Sequence, residues 1–419
     1  MKKIKLGLWI ALLGCSIQMT AQQFELDAEL RPRFEYRNGF KTLASDAVDA
    51  ASFVSQRTRL NFGYTSTEIN AYISAQNMRV WGDVSTLASS DSNGIALHQA
   101  WAEAILDEQW TLKLGRQEIV YDDHRIFGNV GWAQQARSHD ALLVKYNFGE
   151  KNRIDLGLAL NANSETLFDV DYVVNNYKAF QFLRYGTAIK NGKLSFLVLN
   201  NGLAYDDNGE QKTAYNQTFG AYGDFSKNRW TKNVSVYLQT GKIAEITLSA
   251  YNFALNLGYK LSDEFTVGLG GEYLSGTDMD ETDGKLHSFT PWFGTNHKFN
   301  GFMDYFYVGN HSNSVGLLDI NANLKYKSGK FSMALMPHIF NSAVTIIDGG
   351  ETADNYLGTE IDFTLGYKIS KSIMLNAGYS QLFASESMEI LKGGDSDHGQ
   401  NWGWAMLTFK PQFFSTTLE

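Results

Sequence analysis

Apolar and charged residues alternate along most of this chain. In residues 24–37 every even position is apolar, small or aromatic, and every odd position is charged. A strand with this period has one face suited to hydrocarbon and one suited to water. The same alternation returns, between polar interruptions, as far as residue 414. The pattern therefore predicts one large sheet whose strands each have a polar and an apolar face.

Short polar turns alternate with longer stretches rich in Asp, Asn, Gly and Ser. Eight short turns and nine long loops would connect 18 strands, an even number that places both termini on one side. We predict an all-β fold, an 18-stranded antiparallel transmembrane β-barrel with short periplasmic turns and long extracellular loops. The predicted turns are 66–68, 107–109, 149–152, 191–193, 226–229, 262–264, 328–330 and 370–372.

The stretch 276–313 has no comparable alternation. Two additional strands there would also keep the count even, but the stretch lacks the period that a strand requires. We interpret it as one long loop, and we expect it either to fold into the barrel or to cap its mouth.

Side-chain alternation also predicts which residues face the lumen. In the second strand Leu60 and Phe62 alternate with Arg57 and Arg59. The opposite orientation would expose arginines to lipid at a cost of about 2–4 kcal/mol each near the bilayer midplane. We therefore expect the arginines to point inward.

The N-terminus has the features of a secretory signal peptide. A basic head precedes a short apolar stretch and a small residue at Ala21. We predict a signal peptide over residues 1–21 and a single barrel domain over residues 22–419. The alternative is lipidation at Cys15, in a lipobox-like segment. Cleavage after Ala21 would remove this one cysteine, leaving no disulfide.

The charge balance argues against nucleic acid as a partner. The chain has 36 Lys and Arg against 45 Asp and Glu, a net charge of −9. Removal of the three lysines of the signal peptide leaves 33 against 45, or −12. An acidic chain of this kind lacks the basic surface that binds phosphate backbones.

Arginine is concentrated in the first third of the chain, where nine of the 12 arginines lie. Guanidinium groups bind carboxylates in a planar fork, so a one-sided ladder would suit carboxylate-bearing solutes. The alternative is a set of structural ion pairs with acidic neighbours such as Glu25, Asp27 and Glu29. Arg79 and Arg116 fit the alternation poorly. The predicted pore-lining residues are Arg31, Arg33, Arg37, Arg57, Arg59, Arg79, Arg116, Arg125 and Arg137, with Glu35 and Glu103 orienting them.

Six motifs follow one another in the first 140 residues. They are Ser55-Gln-Arg-Thr-Arg-Leu-Asn-Phe62, Gln76-Asn-Met-Arg-Val-Trp-Gly82, His98-Gln-Ala-Trp-Ala-Glu103, Leu114-Gly-Arg-Gln117, Asp123-His-Arg-Ile-Phe-Gly128 and Trp132-Ala-Gln-Gln-Ala-Arg-Ser-His-Asp140. This series resembles the alginate export porin family of Gram-negative outer membranes. The resemblance implies a monomeric 18-stranded barrel whose arginine-lined constriction passes a polyanionic uronate chain. The chain is short for that family and unusually acidic.

The sequence thus predicts a passive outer-membrane channel for anionic oligosaccharide or polysaccharide, such as alginate or uronate fragments. We expect no enzyme activity, cofactor or metal, and contact with outer-membrane lipid and lipopolysaccharide. The acidic segment 278–284 is interpreted as a solvated loop, with a Ca²⁺ site as the alternative. The alternative functions are a general or small-anion porin, or a surface-binding barrel without transport.

Overall fold

The alternating segments form strands in the computed structural model, which describes residues 22–174 and 176–418. The predicted signal peptide and Cys15 lie outside the described residues. The strands are β1 (Gln22–Asn38), β2 (Ala51–Thr65), β3 (Ile69–Val80), β4 (Ala96–Ile105), β5 (Trp110–Gln117), β6 (His139–Phe148), β7 (Asn152–Leu160), β8 (Ala179–Ile189), β9 (Gly192–Asp207), β10 (Glu210–Lys227), β11 (Trp230–Ile243), β12 (Ile246–Lys260), β13 (Phe265–Leu274), β14 (Leu317–Ser328), β15 (Phe331–Asn341), β16 (Ile347–Asp348), β17 (Glu351–Thr352), β18 (Tyr356–Lys368), β19 (Ile373–Ala384), β20 (Gln400–Phe409) and β21 (Gln412–Leu418).

These strands close into a ring. Nineteen segments form one sheet in which each strand pairs antiparallel with its neighbours, and β16 and β17 make a separate small hairpin. Both β20 and β21 pair with β1, so they are two parts of one strand interrupted at Lys410 and Pro411. Proline has no N–H to give to a ladder. The ring therefore has 18 strands, and the predicted barrel is confirmed.

Side chains alternate between the outside and the inside of the ring. On β1, Leu30 and Phe34 are 37% and 44% exposed, whereas Arg31 and Arg33 are 7% and 4% exposed. The apolar residues therefore form the outer surface of the barrel and the charged residues lie within it, as in barrels that face lipid.

The eight short turns occur where the alternation predicted them. At the opposite end, however, two of the nine predicted long loops are two-residue hairpins, 208–209 and 244–245. The first has φ of 57° at Asn208 and 89° at Gly209, as a type I′ turn requires. The polar residues around this turn, which suggested a long loop, belong to β9 and β10, and these strands have 16 and 18 residues. Because about 10 residues suffice to span the membrane, these strands extend beyond it.

Aromatic side chains form contacts close to the short turns. Neighbouring rings include Phe24 with Tyr64 at 4.9 Å, Trp230 with Tyr259 at 4.6 Å, and Phe265 with Tyr326 at 4.7 Å between centroids. Partly exposed aromatics at one level of a barrel are typical of an interfacial girdle.

Two loops lie inside the ring: residues 118–138, called here the β5–β6 loop, and residues 275–316, the β13–β14 loop. Phe127 of the first and Phe293 of the second form a parallel bridge, and Gly128 N donates to Phe293 O at 2.8 Å. Phe127 is 1% exposed and Tyr305 is fully buried. The β13–β14 loop contains a short 3₁₀ helix (Val308–Asn310) and contributes no described strand to the barrel.

One α-helix is described, α1 (Glu386–Lys392), in the loop before β20. Within residues 22–174 and 176–418, no helix is long and apolar enough to cross a membrane.

Replacing Leu60 by Arg should reduce assembly into lipid vesicles, because Leu60 is 49% exposed on the outer face of β2. The cost should be about 2–4 kcal/mol if the residue lies near the midplane. The folded fraction can be measured by gel mobility after refolding into vesicles. Leu60→Val is the matched control, and equal folding of the two variants would contradict the assigned lipid face.

Candidate functional site

Arginines of the inner wall bind the backbone of the β5–β6 loop. Arg31 donates to Gly131 O at 2.8 Å and to Trp132 O at 3.1 Å. Arg33 donates to Trp132 O at 2.7 Å, with its guanidinium 4.0 Å from the Trp132 ring centroid. Arg57 reaches Ala133 O at 3.4 Å. Among the described residues the carbonyls of Gly131 and Trp132 have no other hydrogen-bond partner, so these guanidinium groups satisfy them.

The same arginines also pair with carboxylates of β1. Arg57 donates to Glu29 at 2.7 Å, and Glu35 accepts from Arg33 at 2.9 Å and from Arg37 at 2.8 Å. Glu35 is fully buried. The structural ion pairs considered from the sequence are therefore present for this part of the ladder. Such pairs reduce the charge that these arginines offer to a solute.

A second arc of the wall binds the β13–β14 loop with the opposite chemistry. Glu360 accepts from Met303 N at 2.8 Å, and Asp362 accepts from Phe302 N at 3.1 Å. Carboxyl groups thus accept from backbone N–H groups here, whereas guanidinium groups donate to carbonyls on the other arc.

Asn300 extends this anchoring to two more acids. Its amide donates to Glu272 at 3.0 Å and to Asp319 at 3.1 Å, and His338 lies 2.9 Å from Asp319. The sequence reasoning missed these acids. They alternate with apolar residues in β13, β14 and β18, so the two-residue period could have placed them inside the barrel.

Two predicted arginines connect the loops to each other and to the wall. Arg125 contacts Glu272 at 2.6 Å and Asn300 at 2.8 Å. Arg137 donates to Gly294 O at 2.6 Å. Burial lowers the pKa of Arg137 to about 10, so this guanidinium remains charged at neutral pH. Both residues hold the two loops together.

Three other predicted residues on the inner face are less covered. Arg37 lies near the long-loop end with its side chain 33% exposed. Arg59 donates to Gln76 at 2.9 Å, while its Nη2 has no hydrogen-bond partner among the described residues. Glu103 pairs with Lys145 and accepts from Asn70 at 3.2 Å. This Nη2 is itself buried, whereas the Arg59 residue as a whole is partly exposed.

The assignment of Arg79 and Arg116 to the pore lining is wrong. Arg79 pairs across the sheet with Gln56. Gln56 pairs in turn with Pro32 on the outer face, so Arg79 also points outward. Its guanidinium contacts Asp91 near the long-loop end. Arg116 is 43% exposed and contacts Asp140, its cross-strand partner, at 2.8 Å. Both carry the outward parity of their strands. Each of these two arginines is paired with an acidic residue, and neither faces the lumen.

A cavity of ≈ 360 Å³ lies between the β13–β14 loop and the inner wall. Its lining carries both signs of charge and several amides. Burial raises the pKa of Asp123 at this cavity. The charged and amide residues that line it include Asp122, Asp123, Lys193, Asp224, Asn256, Lys298, Asn321, Asn323 and Lys325.

The candidate metal ligands are three residues of the β13–β14 loop. Donor atoms of Glu281, Asp283 and His287 lie within 4.8 Å of one another. Lys285 contacts Asp283 at 3.0 Å, and its hydrogen bond lowers the pKa of this carboxyl to about 2. The Lys285 ammonium therefore offsets part of the negative charge that this cluster would offer to a cation.

A closed barrel with an apolar exterior, charged interior and loops folded into its lumen defines the class of outer-membrane channels. The chain belongs to the alginate export family, whose model matches residues 22–398. It is thus an outer-membrane protein, and its family indicates a channel. No curated protein matches the chain.

Solved structures share the fold at low sequence identity. OpdL of Pseudomonas aeruginosa is 12% identical with a TM-score of 0.63, covering 93% of this chain and 99% of that one. OccAB4 of Acinetobacter baumannii is 12% identical with a TM-score of 0.62, covering 96% and 99%. OpdK of Pseudomonas aeruginosa, solved with vanillate, is 12% identical with a TM-score of 0.59, covering 93% and 99%.

Replacing Arg31 and Arg33 together by Ala should loosen the β5–β6 loop, because the carbonyls of Gly131 and Trp132 lose their guanidinium donors. We expect higher open-channel noise and a larger conductance in planar bilayers. Arg116→Ala is the control, since it removes a guanidinium from the outer face. Noise and conductance equal to those of the unaltered protein would contradict this anchoring role.

Proposed function

We propose that this channel passes anionic saccharides, namely alginate or its uronate fragments, by passive diffusion. The observation that carries the proposal is the set of inner-wall arginines on β1 and β2, within a chain of the alginate export family. A solute with a carboxylate on every sugar ring would exchange its hydration for charge-assisted hydrogen bonds along such a wall.

Within this set the structure favours Arg59 and Arg37 as the groups that meet a solute. Arg31, Arg33 and Arg57 are buried beneath the β5–β6 loop. Arg59 is partly exposed on the inner face of β2, and Arg37 is partly exposed toward the long-loop end. We propose that the buried arginines shape the pathway while Arg59 and Arg37 attract the anion.

A second candidate is a channel for small organic anions. The two loops inside the barrel favour it, because they occupy lumen volume that a polymer would need. The related fold of OpdK has been solved with vanillate, a small aromatic carboxylate. The same cations would serve either solute, so the size of the permeating anion separates the two candidates.

The remaining properties follow from the same reasoning. One chain closes its own barrel through β1 and β20, so a monomer suffices for transport. The exposed apolar belt would contact outer-membrane lipid, and the long loops would lie beside lipopolysaccharide. Diffusion through such a pore requires neither a cofactor nor a catalytic residue.

Single-channel recording in a planar bilayer under a salt gradient tests the proposal. We expect anion-selective current that oligomannuronate blocks in a concentration-dependent way. Arg59→Gln should move the anion-to-cation permeability ratio toward one, because a partly exposed positive charge is lost from the inner wall.

Arg116→Gln is the matched control, since it removes the same charge from the outer face of the barrel. An equal change in both variants would mean that total charge, rather than Arg59, sets selectivity. Unselective current without block would indicate a general porin. Passage of vanillate without interaction with oligomannuronate would favour the small-anion channel, and no current at all would favour a surface-binding barrel.

A further inference from the structure

Two aromatic rings lie side by side on the inner wall. Tyr72 on β3 and Trp101 on β4 are direct cross-strand partners. Their ring centroids are 5.8 Å apart and their planes differ by 27°. Gln99 accepts from the Trp101 indole N–H at 3.0 Å, which fixes the orientation of that ring. Both rings are partly exposed within the lumen.

Lys113 on β5 adds a positive charge to this pair. Its ammonium lies 3.6 Å from the centroid of the Trp101 ring. Among the described residues no carboxylate lies within ion-pair distance of it, because Glu103, its cross-strand partner, is engaged by Lys145. Cation–π contact with a ring leaves the N–H donors of the ammonium able to bind an anion.

The wall beside Tyr72 is open. Its cross-strand neighbour on β2 is Gly63, and a Cβ placed there would meet only the Glu25 Cβ, at 3.7 Å. The Tyr72 ring therefore does not cover Gly63, and the lumen retains space next to the ring. Gly63 has no positive φ, so this strand position would accept a larger residue.

Sheet stability alone does not account for this arrangement. A cross-strand aromatic pair stabilises a sheet by about 0.2–1 kcal/mol. A half-buried ammonium without a carboxylate partner loses hydration that the pair does not replace. An aromatic surface, an available cation and adjacent space together form a binding site for a ring that carries a negative charge.

We propose that Tyr72, Trp101 and Lys113 form a subsite for one carboxylated sugar ring. The C–H face of the ring would lie on Tyr72, because the Lys113 ammonium covers a face of Trp101, and the carboxylate would accept hydrogen bonds from Lys113. This subsite rests on the proposed saccharide channel and specifies where along the wall the solute pauses. It lies nearer the short turns than the arginines that bind the β5–β6 loop.

The test is the residence time of oligomannuronate in single-channel block. Trp101→Leu keeps the charge of the lumen but removes the aromatic surface, and it should shorten the residence time about tenfold. Lys113→Gln should shorten it to a similar extent. Gly63→Val should have the same effect by filling the space beside Tyr72.

Trp110→Leu serves as the control, because Trp110 is an aromatic residue on the outer face of β5 that stacks on Tyr146. The residence time of oligomannuronate in the Trp110→Leu channel should equal that in the unaltered protein. A neutral maltooligosaccharide of equal length should block more weakly than oligomannuronate. Gel mobility and unchanged salt-gradient selectivity of Trp101→Leu establish that the barrel and its charges are intact.

The outcomes separate the two proposals. If oligomannuronate blocks the unaltered channel but Trp101→Leu and Gly63→Val retain its residence time, the subsite is wrong while the saccharide channel stands. If oligomannuronate does not block the unaltered channel, the saccharide assignment fails and the subsite fails with it. Shortened block in Trp101→Leu, with unchanged selectivity, supports the subsite.

Discussion

The lumen of this barrel is organised by hydrogen bonds between charged side chains of its wall and the backbone of two loops. Guanidinium groups on β1 and β2 hold carbonyls of the β5–β6 loop, and carboxylates on β18 hold N–H groups of the β13–β14 loop. A loop buried away from water must have its backbone groups satisfied. The charged wall supplies the partners that secondary structure would supply elsewhere.

Because of these contacts, an arginine on the inner face does not necessarily present its charge to the lumen. Arg31 and Arg33 look identical to Arg59 in the alternation, yet both donate to carbonyls of the β5–β6 loop, and Arg33 also pairs with Glu35. Their contacts position the β5–β6 loop. Arg59 donates to Gln76 on the neighbouring strand, not to the loop, and is partly exposed. The charge presented to a solute is therefore much smaller than the number of arginines indicates.

The inner wall also differs around its circumference. The arc of β1 and β2 is rich in arginine, the arc of β13, β14 and β18 is acidic, and β3 to β5 combine aromatic rings with lysine. The solved structures with the same fold share about one residue in eight with this chain. Similarity at this level establishes the barrel fold but not the chemistry of these inner surfaces. The solute must therefore be inferred from the residues of the wall.

The two-residue alternation by itself determined the strand count, the eight short turns and the orientation of most strands. Hydrocarbon on one side and water on the other impose that period on every membrane-spanning strand. The same reasoning failed for the hairpins at 208–209 and 244–245. There the strands extend beyond the membrane, and polar residues no longer indicate a loop. It also misplaced Arg79 and Arg116, which lie on the outer face with acidic partners.

Only the tertiary structure decided which inner residues are covered. Residues 131–134 are about 100 positions from Arg31 along the chain, and Met303 is 57 positions from Glu360. Nothing in the local pattern of either segment specifies that distant partner. Local periodicity records whether a side chain faces lipid or lumen, because the solvent on each face acts on every residue separately. Which lumen charges stay available depends on loops that fold back across the ring, and that is a property of the closed barrel.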